Sequence, residues 1–457
     1  MKRRIVAFVL LVFLSVQFSG CSLQFVSIDK LMHPPKLYGD NTELQDAFEK
    51  AVGADVTLKS PNSGNYKSAF IFYDIDSDGD DEVFVFYVKN SDKSVVRMQV
   101  MDKKDNEWVA VSEFVGSGSE VHSIEFVDLN GDGISEVLVS WNILEKKGNR
   151  ILTVYRFDVN DYIIAASAIC TENFTVMKTV DIDSDSYKEI FLILLDLTSE
   201  VPQSVARVLK MTDNKITLSG ETKLDGNVSG YSSINTVVSQ TDNILKLYID
   251  AYKGESQMIT EVVFWNQDTG VLEAPLIDEQ TQSNIVTWRS THIPTYDING
   301  DGEIEIPAQT EMPGGVAKQV FSDKDKPFYV TKWYKLKGKE LIEVEQNAVN
   351  YDCKYIFDFS AQFKDYIAIY SGVQGKEWKV FLYNKSDAKL GSLLFTISCV
   401  DKGVWNKSAQ EDYYGFNLLF ENDEYDTAIA ASITQAGKDY GLNFNKLDNL
   451  ITIFDEG

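Results

Sequence analysis

The sequence predicts a mainly β protein: a β-propeller of about five recognisable four-stranded repeats, followed by a small α+β C-terminal domain. Three observations predict it. Between about residues 65 and 345 apolar residues alternate over short runs, as in Glu82–Tyr87 and Glu136–Trp141, and no long helical period interrupts them. That is the two-residue period of strands with a buried face. Turn residues separate the runs, as in Lys103-Lys104-Asp105-Asn106 and Asn266-Gln267-Asp268-Thr269-Gly270. Finally, a nine-residue acidic loop recurs with starts 54, 53 and 116 residues apart, the last gap being twice 58. A period of roughly 50–60 residues with four strands per unit marks a propeller blade. Five repeats close as five blades, or reach six or seven with flanking segments.

The elements follow in order. Lys2-Arg3-Arg4 precedes an apolar run from Ile5 to Val16, broken only by Ser15. A spanning helix needs about 20 apolar residues, so residues 1–20 read as a secretory signal. Ser19-Gly20 before Cys21 resembles the processing site of bacterial lipoproteins, with Phe18 where Leu is usual. The resemblance implies removal of residues 1–20 and a lipid on Cys21. It also implies a place on the extracytoplasmic face of the cell membrane. Residues 21–41 are a tether with Pro34 and Pro35. Within 42–60, Leu44, Ala47, Phe48 and Ala51 share one helical face, and Gly53 can end that helix.

The repeats occupy 61–349. The loops are Asp74–Glu82, Asp128–Glu136, Asp181–Glu189 and Asp297–Glu305. A fifth copy is expected near residue 238, where the strand pattern survives and the acids do not. Past Glu343 the period is lost. Residues 350–457 read as an α+β domain, with strands near 355–357, 366–370, 378–383 and 393–398. Leu447, Leu450, Ile451 and Phe454 share a helical face near the end.

Each acidic loop carries an oxygen side chain at positions 1, 3, 5 and 9. Ca²⁺ takes six to eight hard oxygens at about 2.3–2.6 Å, and alternate residues of a tight turn can aim several inward. The EF-hand acid at position 12 is missing: Val85, Val139, Leu192 and Ala308 stand there. Glu at position 9 leads straight into a strand instead. This arrangement resembles the FG-GAP repeats of integrin α-chain propellers and of related bacterial proteins. The resemblance implies structural Ca²⁺, held by side chains at positions 1, 3, 5 and 9 and the carbonyl of position 7. In the first loop these are Asp74, Asp76, Asp78 and Glu82 with the carbonyl of Asp80; in the second, Asp128, Asn130, Asp132 and Glu136 with that of Ile134. In the third they are Asp181, Asp183, Asp185 and Glu189 with Tyr187; in the fourth, Asp297, Asn299, Asp301 and Glu305 with Glu303. Glu takes the place of the commoner Asp at position 9. The third loop departs further, with Ser186 for Gly and Lys188 beside it. Affinity on the order of 10⁻⁴–10⁻³ M is expected, as in extracellular modules.

Composition bounds the function. With 43 Lys+Arg against 69 Asp+Glu the net charge is −26. Nucleic acid needs basic side chains for its phosphates, so it is not an expected partner. The four loops hold 17 of the 69 acids in 36 positions, so part of that charge is local. His122 and His292 lie just before the second and fourth loops and read as strand-end residues, because Ca²⁺ prefers oxygen. Cys353 and Cys399 are either a bridge or two buried thiols, and Cys170 reads as core. Gly-x-Ser-x-Gly, His-Glu-x-x-His and Gly-x-x-x-x-Gly-Lys-Ser/Thr do not occur. No catalytic set stands out, so the sequence favours a non-enzymatic surface lipoprotein that binds a protein or glycan. The alternatives are a polysaccharide-acting lyase or hydrolase, and a structural envelope protein.

Overall fold

In a computed structural model of the chain the described residues are 41–454, apart from 145–147, 160–162, 320–323, 361, 364–365 and 409–414. The expected signal, Cys21 and all but the last residue of the tether lie outside them. No helix among the described residues is long and apolar enough to cross a membrane. Two compact units divide the chain. One runs to Glu125 and includes Val139–Asn142 and Phe157–Ser167; the other takes Phe126–Leu138, Ile143–Arg156 and everything from Ala168.

The first unit opens with helix α1, Asn41–Val52. Of the expected apolar face Leu44 and Phe48 are buried and Ala47 packs with them, but Ala51 is exposed and Val52, one position on, joins the cluster instead. Gly53 ends it at φ +91°, a conformation open to glycine at no steric cost. Then come β1 (Val56–Lys59), β2 (Phe70–Tyr73), β3 (Glu82–Lys89), β4 (Asp92–Lys104) and β5 (Glu107–Val115). β1 and β2 lie end to end along one edge of β3: Lys59 pairs with Phe86 and Phe70 with Val85. Five segments therefore build a blade four strands wide. Alternate residues of β3 face opposite ways. Val83, Val85 and Tyr87 join Leu44 and Phe48 of the helix in one cluster. Phe84 and Phe86 turn the other way, edge-on to Phe157 and Trp141. The β4–β5 turn falls on Asp105 and Asn106, both at positive φ, as the sequence signal requires.

The second repeat is a four-stranded sheet of β6 (Glu120–Val127), β7 (Glu136–Asn142), β8 (Arg150–Val159) and β9 (Ile163–Phe174). The third is β10 (Val176–Val180), β11 (Glu189–Asp196), β12 (Gln203–Thr212) and β13 (Lys215–Leu224). The fourth is β14 (Gly230–Val238), β15 (Leu245–Lys253), β16 (Gln257–Asn266) and β17 (Val271–Glu273). Each sheet is ordered as the chain runs. The acid-less copy expected near 238 is thus a complete blade.

Within the second unit these sheets pack face to face. Ile190 and Leu192 of β11 meet Leu138, Leu152 and Val154 of the second repeat. Their neighbours Phe191 and Ile193 meet Leu247, Ile249 and Val263 of the fourth. Tyr248, Val262 and Phe264 then meet Ile306 and Leu336 of the fifth. Strands buried on both faces explain the near-continuous apolar runs of β3, β7, β11 and β15.

The fifth repeat, β18 (Ile306–Ala317), β19 (Lys326–Lys337) and β20 (Glu340–Asn350), continues into the C-terminal strands. These are β21 (Tyr355–Phe357), β22 (Ile367–Ser371), β23 (Glu377–Asn384), β24 (Lys389–Asp401), β25 (Asn417–Asn422), β26 (Thr427–Ile433) and β27 (Ile451–Ile453). All belong to one ten-stranded sheet, ordered β25-β26-β24-β23-β22-β18-β19-β20-β21-β27. The expected boundary at residue 350 therefore falls inside a sheet. Short helices α2 (Lys402–Ser408), α3 (Gln435–Asp439) and α4 (Phe444–Leu450) complete the α+β character of this part. The helical face expected to run through Phe454 stops at Leu450. Ile451 is extended, at φ −121° and ψ 109°, and Ile451–Ile453 pair with Tyr355–Phe357. Edge pairing outweighs helical period there, and Leu447, Ile451 and Phe454 are buried either way. Cys353 and Cys399 are free, buried thiols rather than a bridge, and Cys170 is half-buried beside the second repeat's core.

Candidate metal centres in the acidic loops

The four loops close by the same backbone chemistry. Glu at position 9 accepts from the amide of position 2 each time. Glu82 takes the Ile75 N–H at 2.8 Å; Glu136, Glu189 and Glu305 take those of Leu129, Ile182 and Ile298 at 3.0 Å. Asp at position 1 accepts from position 6: Gly79, Gly133, Ser186 and Gly302 donate to Asp74, Asp128, Asp181 and Asp297 at 2.8–3.1 Å. Asp at position 5 accepts from position 7, so the amides of Asp80, Ile134, Tyr187 and Glu303 are held at 2.8–3.0 Å. Position 6 has φ between +79° and +97° in all four. Glycine tolerates this freely, and Ser186 adopts it with a Cβ.

The loops differ in what faces the carboxylates. In the first, carboxylate oxygens of Asp74, Asp76 and Asp78 lie within 4.8 Å of one another. Two oxygens sharing one Ca²⁺ sit up to roughly 5 Å apart, so this hard-oxygen set fits that ion. Glu82 is 2% exposed and Asp102 is 5% exposed. The β3–β4 register pairs Val83 with Met101. Continued by one residue, it sets Asp102 opposite Glu82. Burial, with Asp102, Asp76 and Asp78 adding repulsion, pushes the Glu82 carboxyl up to about 8. Burial and Asp78 raise Asp76 as well. Lys103 turns to the rim, 3.4 Å from Asp80.

In the third loop Asp181, Asp183 and Glu189 also lie within 4.8 Å. Here a lysine reaches in. The β11–β12 register pairs Ile190 with Leu209, which places Lys210 opposite Glu189. The Lys210 ammonium donates to Asp183, to Asp185 at 2.6 Å, and lies 3.3 Å from Glu189. Burial would lower its pKa, yet the Asp183 and Asp185 bonds hold it above the ordinary lysine value. Burial, and then Asp183, still raise Glu189 to about 7.

The second and fourth loops follow the third. Arg156 spans Glu136 and Asp132, with one nitrogen 2.8 Å from each. Lys335 bonds Asp301 and lies 3.4 Å from Glu305; the β18–β19 register puts it opposite that glutamate. Asn130 turns its amide to Asp132, and Asn299 turns its own to Glu305. Glu303 is buried and accepts from the Gln240 amide and the Ser239 hydroxyl. The predicted ligand positions thus all stand in the loops. Missed from the sequence were Arg156, Lys210, Lys335 and Asp102, each on the strand after the one its loop opens: β8, β12, β19 and β4.

Residues 74–139 match the FG-GAP-like repeat family. The match spans the first two loops, and the third and fourth loops share the amide bonds of those two. No curated protein matches the chain in sequence. Among solved structures, a hypothetical selenium-binding protein from Sulfolobus tokodaii aligns at 13% identity and TM-score 0.28, over 48% of this chain and 55% of that one. This chain therefore spans about half of that protein's length. A rhamnogalacturonan lyase of Bacillus licheniformis aligns at 10% identity and TM-score 0.28, over 74% and 72% of the two chains. A putative 6-phosphogluconolactonase from Bacteroides uniformis aligns at 12% identity and TM-score 0.27, over 73% and 93%.

Away from the loops, the histidines hold ordinary places. His122 Nδ1 is 3.0 Å from Asn62 Oδ1, and His292 lies edge-on to Tyr252. The fourth repeat buries a polar network instead of an acidic loop. Arg289 and Asp250 are both fully buried and paired at 2.7 Å, with Thr260 and Thr295 completing the bonds to Asp250. Glu261 is buried next to Asp225; burial raises its carboxyl to about 8.

Proposed function

We propose that this FG-GAP-repeat β-propeller protein is an extracytoplasmic lipoprotein, anchored through Cys21, whose blades are stabilised by Ca²⁺ and present a surface to a protein or glycan partner. The observation that carries the calcium reading is the first loop. Asp74, Asp76 and Asp78 crowd their carboxylates within 4.8 Å, and Glu82 and Asp102 are buried beside them. Unliganded carboxylates so close repel, and a divalent ion removes that repulsion, so binding free energy becomes folding free energy.

The test is metal-linked stability. Melting rises by several degrees between EGTA and millimolar Ca²⁺, and Asp74→Ala blunts the rise. An unchanged melting curve sinks the calcium reading. The anchor is tested separately: labelled palmitate enters the wild-type chain and not Cys21→Ser. Glycan arrays and envelope pull-downs test the partner, and turnover of a polysaccharide would favour an enzyme instead.

A further inference from the structure

The residue opposite the position-9 glutamate, on the strand after the one its loop opens, takes opposite signs in different repeats. It is basic in three: Lys210 and Lys335 by register, and Arg156 by its bond to Glu136. In the first repeat the same place holds Asp102. Each basic group also bonds the loop acids a metal would use. Lys210 contacts Asp183, Asp185 and Glu189; Arg156 contacts Asp132 and Glu136; Lys335 contacts Asp301 and Glu305. The place therefore takes positive charge in three copies out of four, and the copy that lacks a basic residue there adds a carboxylate.

We infer that this residue is the metal selector of each repeat: Arg156, Lys210 and Lys335 stand in for a divalent cation, and Asp102 reserves the first loop for Ca²⁺. The inference rests on the calcium reading above and narrows it from four sites to one. Charge balance gives the reason. In the third loop Asp183, Asp185 and Glu189 already share the Lys210 ammonium, and adding a divalent ion would force that ammonium out or bring two cations together. In the first loop Asp74, Asp76 and Asp78 lie within 4.8 Å of one another, Glu82 and Asp102 are buried nearby, and Lys103 lies 3.4 Å from Asp80. A divalent ion brings the positive charge that a basic side chain brings to the other three loops. Side-chain cations are permanent, so the second, third and fifth repeats hold their loops whatever the calcium level.

The experiment counts bound ions on the full chain in detergent, by equilibrium dialysis with ⁴⁵Ca²⁺ and by calorimetry. Expected are one Ca²⁺ per wild-type chain, none for Asp102→Lys, and two for Lys210→Met. Lys335→Met gives a second route to two ions should Lys210→Met fail to fold, and Lys210→Arg keeps the count at one. Four ions on the wild type, with Lys210→Met unchanged, overturns the selector while leaving the calcium reading intact. No ion on the wild type overturns the role given to Asp102, even where Lys210→Met gains one. No ion on any variant overturns both.

Discussion

The first and third repeats use one loop in two electrostatic states. In both, the position-9 glutamate is buried and bonded to the position-2 amide, and three loop carboxylates lie within 4.8 Å. In the third, Lys210 sits among them. In the first, Asp102 faces Glu82. Loop closure is thus a backbone property, set by amides and by two residues at positive φ, at positions 4 and 6. Charge balance is a separate choice, made on another strand. The fourth repeat extends the lesson. It lacks the acids, and its Lys246 bonds Asp242 and the Leu336 carbonyl, yet its sheet is complete. The blade does not need the loop; the loop needs a counter-charge.

The largest expected effect breaks the third repeat. Lys210→Met leaves Glu189 buried beside Asp183 with no cation and costs about 3 kcal/mol in EGTA. Melting falls by several degrees there, and hydrogen exchange speeds up in β11. If the loss is the same in EGTA and in millimolar Ca²⁺, the two repeats are not exchangeable. Next is pH. Glu82 and Glu261 both sit at about 8, above the ordinary 4.5. A raised folded pKa gives stability that is fully present below about pH 4.5 and is lost as pH rises toward 8. In EGTA the protein therefore melts several degrees lower at pH 8.5 than at pH 5. Ca²⁺ removes the Glu82 share and Glu261→Gln removes the Glu261 share, leaving that of Glu189, raised to about 7; a slope unaffected by either would contradict the assignment. Third, Asp102→Asn relieves the like-charge repulsion on buried Glu82 and raises the melting point of the protein in EGTA. A lower melting point for that variant would contradict the like-charge reading. The smallest effect sharpens the backbone side of the comparison. Ser186 holds φ +79° where the other loops have glycine, so Ser186→Gly raises unfolding stability by less than about 1 kcal/mol. The rise is the same with and without Ca²⁺.

The loops, the hairpins and the acid-less fourth copy were legible because each is local: turn residues, two-residue periods and a fixed spacing lie within one stretch of chain. The selector was not. Arg156, Lys210 and Lys335 lie 20, 21 and 30 residues beyond Glu136, Glu189 and Glu305, because hairpin length varies while strand pairing does not. Only register reveals that they share a place. The ten-stranded sheet hid for a similar reason. It depends on the parallel pairing of Val316 with Tyr370, two residues linked by no turn signal. Ile451–Ile453 read as helix because the apolar spacing of Leu447, Leu450, Ile451 and Phe454 serves a helix followed by a buried edge strand equally well.

Three contacts within the second unit join loops to neighbouring repeats. Asn214, from the third repeat, accepts from Asn130 in the second loop. Gln267, from the fourth, donates to the Asp183 carbonyl in the third loop, and Gln240 donates to that of Asp301 at 3.2 Å. Each of these three loops is therefore strapped by a residue of an adjacent repeat. Such straps turn a set of separate switches into a linear array with nearest-neighbour terms, as in repeat proteins generally. The acid-less fourth repeat then has a use of its own. Through Gln267 and Gln240 it is bonded to the third and fourth loops on either side, and so it couples two acidic loops without carrying one.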